Sequence, residues 1–248
     1  MLIQLLQYLL YKKSAKKIWP DFKKFIALES RATKRFSISK NNFRPQLEEN
    51  SSTTNFDRHY TYHPAWAARI LKEINPTAHI DISSTVNFST IVSAFIPISF
   101  YDYRPAEIVL PNLSCDFQDL CKLTFEDNSI ESLSCMHTVE HVGLGRYGDA
   151  LNYDGDLIAM KELSRVLKAN GNLLFVVPIG SESKIYFNAH RVYTKNQIEK
   201  TMFDFGLSLK EFTLIPELGK DGGLVKSPSE QLLNKQTYAC GCFWFTKK

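Results

Sequence analysis

The chain has 248 residues, 44% hydrophobic and 23% charged, with a net charge of +4. That is the composition of a soluble globular protein, long enough to bury a sizeable core as one α/β domain with an N-terminal extension. Five cysteines (Cys115, Cys121, Cys135, Cys240, Cys242), odd in number and without a CxxC pair, fit a reducing, cytoplasmic setting better than a secreted disulfide scaffold.

Charge is uneven. Residues 1–44 hold eleven Lys or Arg against Asp21 and Glu29, so the rest of the chain is net acidic. An anionic partner would meet the N-terminus first, and a nucleic-acid partner is not expected of the acidic remainder. The opening MLIQLLQYLLYKK is apolar and then basic, the reverse of a secretory signal, and too short to span a bilayer. With Leu2, Leu5, Leu6, Leu9 and Leu10 on one side and lysines behind, residues 1–17 suit two places. One is the packed face of a domain or second subunit; the other is a peripheral contact at the inner face of a membrane.

Residues 1–36 read as one or two basic helices broken at Trp19-Pro20, and 37–56 as a polar linker, which divides the chain into 1–56 and 57–248. A helix, AWAARILKEI, follows His63-Pro64 and stops at Asn75-Pro76. AHIDIS is a first strand, VNFSTIVSAFI a helix, ISFYDY a second strand and EIVL a short apolar run before Pro111. IESLSCM is a fourth strand. The segment DLIAMKELSRVLKANG is a crossover helix stopped by Asn-Gly, and NLLFVVPIG a strand buried on both faces. A helix ending at Gly206 precedes two strands, SLKEFTLIPE and TYACGCFWFTKK, joined by the loop 217–235. The order predicts an α/β fold: a seven-stranded, mainly parallel sheet closed by an antiparallel C-terminal pair. Ligands of such sheets bind outside the carboxyl ends of the strands.

Glu140-His141, then Glu162-Leu163-x-Arg165-Val166-Leu167-Lys168, then Gly171 and an apolar strand ending in Pro178, resembles the second half of class I S-adenosylmethionine-dependent methyltransferases. The resemblance extends more weakly from about Tyr60 to the C-terminus. The runs GLGRYGDALNYDGDLIAMKEL and NAHRVYT resemble a poorly characterised branch found among bacterial surface-polysaccharide genes. The likeness implies a Rossmann-like domain, S-adenosylmethionine as cofactor and O-methylation of a sugar or glycan precursor. A non-catalytic binding or scaffold protein of the same fold is the alternative, because Ser83, Thr85 and Asn87 stand where the family's first loop carries glycines.

The same likeness assigns roles. Asp81, in the first strand, would hold the methionine end or orient the loop after it, although it also suits capping the helix at 86–96, and Ser83 in that loop would meet the cofactor. Asp102 would accept the ribose hydroxyls, Asp116 and Phe117 would meet the adenine, and His137 would lie beside the cofactor. His141 and His190 are candidate general bases, since an imidazole titrates near neutrality. Arg146, Tyr147, Asp149 and Arg191 would hold the acceptor. Tyr60, His63 and Trp66 would close a lid. His137-Thr-Val-Glu140-His141 also spells an inverted zinc-protease pattern, which needs a helix that an apolar strand just before His137 argues against. Alternate positions on a strand explain Cys240-Gly-Cys242, so no metal is expected.

Overall fold

The computed structural model of the chain describes residues 2–29, 35–46 and 50–248, with side chains from Tyr11 onward except Ser14. The chain divides into two compact units, Met1–Phe56 and Asp57–Lys248.

In the first unit, helix α1 (Leu2–Glu29) runs straight through Pro20, where the sequence predicts a break. Trp19, Phe22 and Phe43 pack with ring centroids 4.9–5.3 Å apart. That aromatic contact accompanies the loss of the one backbone bond proline cannot make. The leucine stripe of residues 2–10 lies outside the described side chains. No helix among the described residues is long and apolar enough to cross a membrane.

The second unit opens with α2 (Arg58–Ile74), which starts seven residues before the expected Ala65, with the Asp57 carboxylate accepting from the Tyr60 amide at 3.0 Å. It ends at Asn75 in the left-handed conformation, directly before Pro76. Then come β1 (His79–Ile82), α3 (Val86–Val92), β2 (Ile98–Asp102) and β3 (Leu113–Phe117). The third strand is LSCDF and not the apolar EIVL, which contributes only an isolated bridge from Leu110 to Leu113. Strand β4 (Ile130–Met136) leads through a tight turn at Val139–His141 and a loop to α4 (Gly155–Val166). Strand β5 (Leu167–Ile179) takes over at once, so the helix stops four residues short of the expected Asn170-Gly171, and a register shift opposite Ile130–Ser132 absorbs the extra length.

A small hairpin, β6 (Lys184–Tyr186) and β7 (His190–Val192), precedes α5 (Lys195–Asp204). The chain ends with β8 (Leu207–Ile215), the two-residue β9 (Val225–Lys226), the short α6 (Glu230–Leu233) and β10 (Ala239–Lys247).

The main sheet has the order β3-β2-β1-β4-β5-β10-β8-β9. Strands β1 to β5 pair in parallel, and β10 lies antiparallel between β5 and β8. This is the mainly parallel sheet with an antiparallel C-terminal pair that the strand order predicts, plus the extra edge strand β9.

Two cores follow from the pleat. On β5, Leu173, Phe175, Val177 and Ile179 face α4 and α5, whereas Leu174 and Val176 face α2 and α3. Strand β10 alternates likewise: Phe243 and Phe245 on one face, Cys240, Cys242 and Trp244 on the other. Strand order reverses between β1 and β4, and the crevice at their carboxyl ends is where a ligand belongs.

Candidate functional site

A cavity of about 500 Å³ occupies that crevice, within the range of small-molecule sites. Its wall comes from the segments after β1 (Ser83, Ser84), β2 (Asp102–Arg104), β3 (Gln118–Cys121) and β4 (Met136–Thr138, His141–Gly143), with Tyr60 and residues from the loop before α4.

After β1 the chain turns sharply at Ser83, whose φ of 57° is one a glycine would take more cheaply. The turn is held by Ser83 N donating to Tyr101 O at 2.7 Å and by the Thr138 hydroxyl donating to Ser83 O at 2.7 Å. Asp81 does not reach the cavity. It is fully buried and accepts from the hydroxyls of Ser84, Ser89 and Ser134, the second at 2.8 Å. It holds the loop after β1 through Ser84, as expected of a loop-orienting acid, and does not cap α3; Thr85 does the capping, accepting from the Phe88 amide. The polar chain continues through the buried His79, which bonds Ser134 Oγ at 2.9 Å and Ser132 Oγ at 2.8 Å. Burial pushes Asp81 up to about 6 and His79 down to about 3.

Asp102 ends β2 on the cavity wall, with Oδ1 accepting from the Arg104 amide at 2.7 Å. Asp116 and Phe117 are not on the wall. They belong to β3 itself, Asp116 capping the Phe117 amide and Phe117 lying half-exposed against Tyr103. Because the strand runs to residue 117, the loop that faces the cavity begins at Gln118. Gln118, Asp119 and Leu120 line the cavity there.

His141 lines the cavity. Its Nδ1 donates to Ala189 O at 2.6 Å, which makes Nε2 the ring's acceptor, with Arg146 Nη1 3.5 Å from it. Burial lowers its pKa and the neighbouring Arg146 guanidinium lowers it further, against the opposing pull of Glu140, so the ring stays neutral near pH 7. His190 lies off the cavity, packed between Tyr186 and Tyr238 at ring distances of 5.3 and 4.8 Å. His137 sits at the cavity edge with a φ of 57°, its Nδ1 2.8 Å from Glu140 Oε1. Burial opposes its charge, but Cys240 and Glu140 hold its pKa up, at about 10. The turn Val139–His141 is a single 3-10 turn, so His137 and His141 share no α-helical face of the zinc-protease kind.

The loop 142–154 is tied down by two of the proposed acceptor-binding residues. Asp149 lines the cavity, yet its carboxylate is committed to the amides of Gly143 (2.8 Å), Tyr147 (3.1 Å) and Gly145 (3.3 Å). Burial opposes that charge, and the three amides more than compensate, lowering the Asp149 pKa. Arg191 points the other way from an acceptor. It is buried at 4% exposure, gives Nη1 to Val142 O at 2.6 Å and Nη2 to Tyr153 O at 2.9 Å, and faces Asp156 at 3.5 Å. The segment is tight because Gly143 and Gly155 touch: a Cβ on Gly143, at φ 79°, would collide with the Asn152 carbonyl.

Tyr147 remains on the rim, with the Arg104 guanidinium 4.4 Å above its ring and Arg146 at 5.2 Å. Arg146 stays exposed beside it, donating to Ala189 O at 2.8 Å. Of the lid candidates, Tyr60 lines the cavity, whereas His63 and Trp66 are buried beneath α2.

The model of a family described as a Caenorhabditis protein of unknown function, DUF268, matches residues 107–213, from before β3 into β8. No curated protein matches the chain. Solved structures do. A putative sarcosine dimethylglycine methyltransferase from Galdieria sulphuraria is 14% identical, with a TM-score of 0.52 over 75% of this chain and 85% of that one. The 1,6-didemethyltoxoflavin-N1-methyltransferase of Burkholderia thailandensis, solved with S-adenosylhomocysteine bound, is 9% identical with a TM-score of 0.50 over 75% and 78%. The cyclase SpnF is 11% identical with a TM-score of 0.51 over 74% and 81%. At such identities the likeness establishes architecture, and the architecture of this chain is the S-adenosylmethionine-dependent methyltransferase fold.

Proposed function

We propose that the chain binds S-adenosylmethionine in this cavity and methylates a hydroxyl oxygen of a sugar or surface-polysaccharide precursor. The observation that carries the reading is the pairing, across one cavity at the strand-order reversal, of the Asp102 carboxylate with the neutral His141.

The residues present suit the cofactor. Only one Asp102 oxygen is engaged by the chain's own amide, which leaves acceptor capacity for the ribose hydroxyls. The segment Gln118–Leu120 borders the cavity on the adenine side, with Leu120 as an apolar surface, and the Ser83 turn borders it on the methionine side. When bound, S-adenosylmethionine supplies a methyl group on a positively charged sulfur and leaves as S-adenosylhomocysteine. His141 Nε2 takes the proton of the acceptor hydroxyl as the oxygen–methyl bond forms, a role that its lowered pKa suits. Arg146 and Tyr147 on the rim favour an anionic or sugar acceptor, the first by its planar fork and the second by stacking. Exposed Lys12, Lys13, Lys16 and Lys17 on α1 favour an anionic surface or lipid-linked acceptor near the N-terminus.

A second reading, a binding protein without transfer, is favoured by the glycine-free turn after β1 and by SpnF, a cyclase on the same fold. Incubation with methyl-labelled S-adenosylmethionine and a panel of nucleotide and lipid-linked sugars separates the two. Alkali-stable label on a sugar, lost in His141→Gln, supports O-transfer. Cofactor binding with no label on any hydroxyl acceptor contradicts it.

A further inference from the structure

Beneath the cavity, on the α2 face of the sheet, a group of nitrogen and sulfur atoms has no role in methyl transfer. Ligand atoms of His59, His137 and Cys240 all lie within 4.8 Å of one another. They come from three places in the chain: the first turn of α2, the turn after β4 and the start of β10. We propose that His59, His137 and Cys240 bind a zinc-class metal ion, at a site that meets the cavity at His137.

The first argument is hydrogen-bond accounting. Among the described residues, four buried side-chain atoms lack a partner, and three of them belong here: His63 Nε2, His137 Nε2 and Glu140 Oε2. Buried polar atoms are nearly always satisfied, and of these three His137 Nε2 is the one that an ion shared with Cys240 would satisfy. His137 is 7% exposed and Cys240 fully buried, so bulk water does not satisfy them.

The second argument is the orientation of the rings. His137 uses Nδ1 to contact Glu140 Oε1 at 2.8 Å, which leaves Nε2 as the coordinating atom once an ion displaces its proton. A carboxylate behind a histidine is the usual way a metal-binding imidazole is aimed and made more basic. His63 is set the same way by its own helix, Nδ1 donating to His59 O at 2.7 Å and Nε2 left free, with its ring 5.1 Å from that of His137. The His59 and His137 rings stack at 5.1 Å, and Tyr238 covers the outer side of His59 at 5.1 Å.

Donor chemistry selects the ion. Two imidazole nitrogens and one thiolate suit zinc, whereas calcium and magnesium want oxygen. Ligand atoms on one tetrahedral zinc stand roughly 3.3–3.7 Å apart, so modest side-chain rotation closes the set. The Cys240 thiol gives up its proton to solvent on binding. The fourth position is left to a water or to His63 Nε2. The ion would clamp α2 to the sheet, on the side from which Tyr60 reaches the cavity.

The test uses the full chain, purified without chelator. Elemental analysis is expected to find about one zinc per chain, and cobalt substitution to give a thiolate-to-cobalt charge-transfer band in the near ultraviolet. Cys240→Ser and His59→Gln should each weaken zinc by roughly 100-fold or more, and Glu140→Gln by about 10- to 100-fold. His59 begins a helix and is half-exposed, so His59→Gln keeps the test readable if Cys240→Ser fails to fold. Folded protein with neither zinc nor a cobalt band would overturn the proposal, as would zinc held equally well by both ligand variants. None of these readings depends on S-adenosylmethionine, so the site stands or falls apart from the proposed methyl transfer.

Discussion

Arg191→Met is the substitution that best tests how the cavity is held open. In the native chain the guanidinium feeds the carbonyls of Val142 (2.6 Å), Tyr153 (2.9 Å) and Asn152 (3.4 Å) and faces the buried Asp156 at 3.5 Å. Methionine fills similar volume but supplies no donor. It strands two to three carbonyls and leaves Asp156 only the Tyr193 hydroxyl, 2.9 Å away. Breaking a buried ion pair from one side costs about 3–5 kcal/mol. For a chain of this size each kcal/mol lowers Tm by roughly 2–4 °C, so a fall of about 10 °C is expected. Val142 and Asn152 also line the cavity, so S-adenosylhomocysteine affinity should drop about tenfold, near 1.4 kcal/mol, although Arg191 is not on the wall. Arg191→Lys should not rescue it, because one ammonium cannot reproduce the fork. Adding Asp156→Leu to Arg191→Met should recover part of the loss by removing the stranded charge. Urea denaturation and calorimetry read all of these. A loss below about 1 kcal/mol for Arg191→Met, or full rescue by lysine, would refute the reasoning.

The remaining predictions concern single groups. His79 is held neutral at a pKa of about 3 against 6.5 when unfolded. The unfolded chain therefore binds the extra proton as pH falls below 6.5, and stability declines by about 1.4 kcal/mol per pH unit from this group alone. His79→Gln should flatten the pH slope of urea unfolding by that amount between pH 6 and 4, and an unchanged slope would contradict the burial argument. Gly143→Ala places a Cβ at positive φ against the Asn152 carbonyl, so a loss of at least about 2 kcal/mol and a weakened cavity are expected in thermal unfolding and ligand titration. His141→Gln should lower the transfer rate roughly 100-fold or more while leaving S-adenosylhomocysteine affinity within about threefold. Loss of binding instead would make His141 part of the pocket wall.

Much of the architecture can be read from the residues, because β4, β5 and β10 are long apolar runs whose alternation sorts two faces and whose order dictates a parallel sheet with an antiparallel finish. Boundaries slipped where a local signal competed with packing. Pro20 reads as a break but lies in a helix beside three packed aromatic rings, and EIVL is more apolar than the true third strand LSCDF. That second slip moved the expected adenine pair into the strand, and Gln118, Asp119 and Leu120 line the cavity instead. Asp102 and His141 lie on the cavity wall because one ends β2 and the other sits in the turn after β4, at the carboxyl edge of the parallel half. Arg191 and Asp81 were legible as polar residues near strand ends, but only the fold reveals that their partners are carbonyls and serine hydroxyls. The His59, His137 and Cys240 group was invisible for a related reason: its members are distant in sequence and meet only in the fold.

The most direct test of the account is isothermal titration of the full chain with S-adenosylhomocysteine, beside Asp102→Ala. One-to-one binding with a micromolar Kd, weakened at least about tenfold by the substitution, is the predicted result. A folded protein that takes up no ligand at millimolar concentration, or binds equally well without the Asp102 carboxylate, would contradict the placement of the cofactor in this cavity.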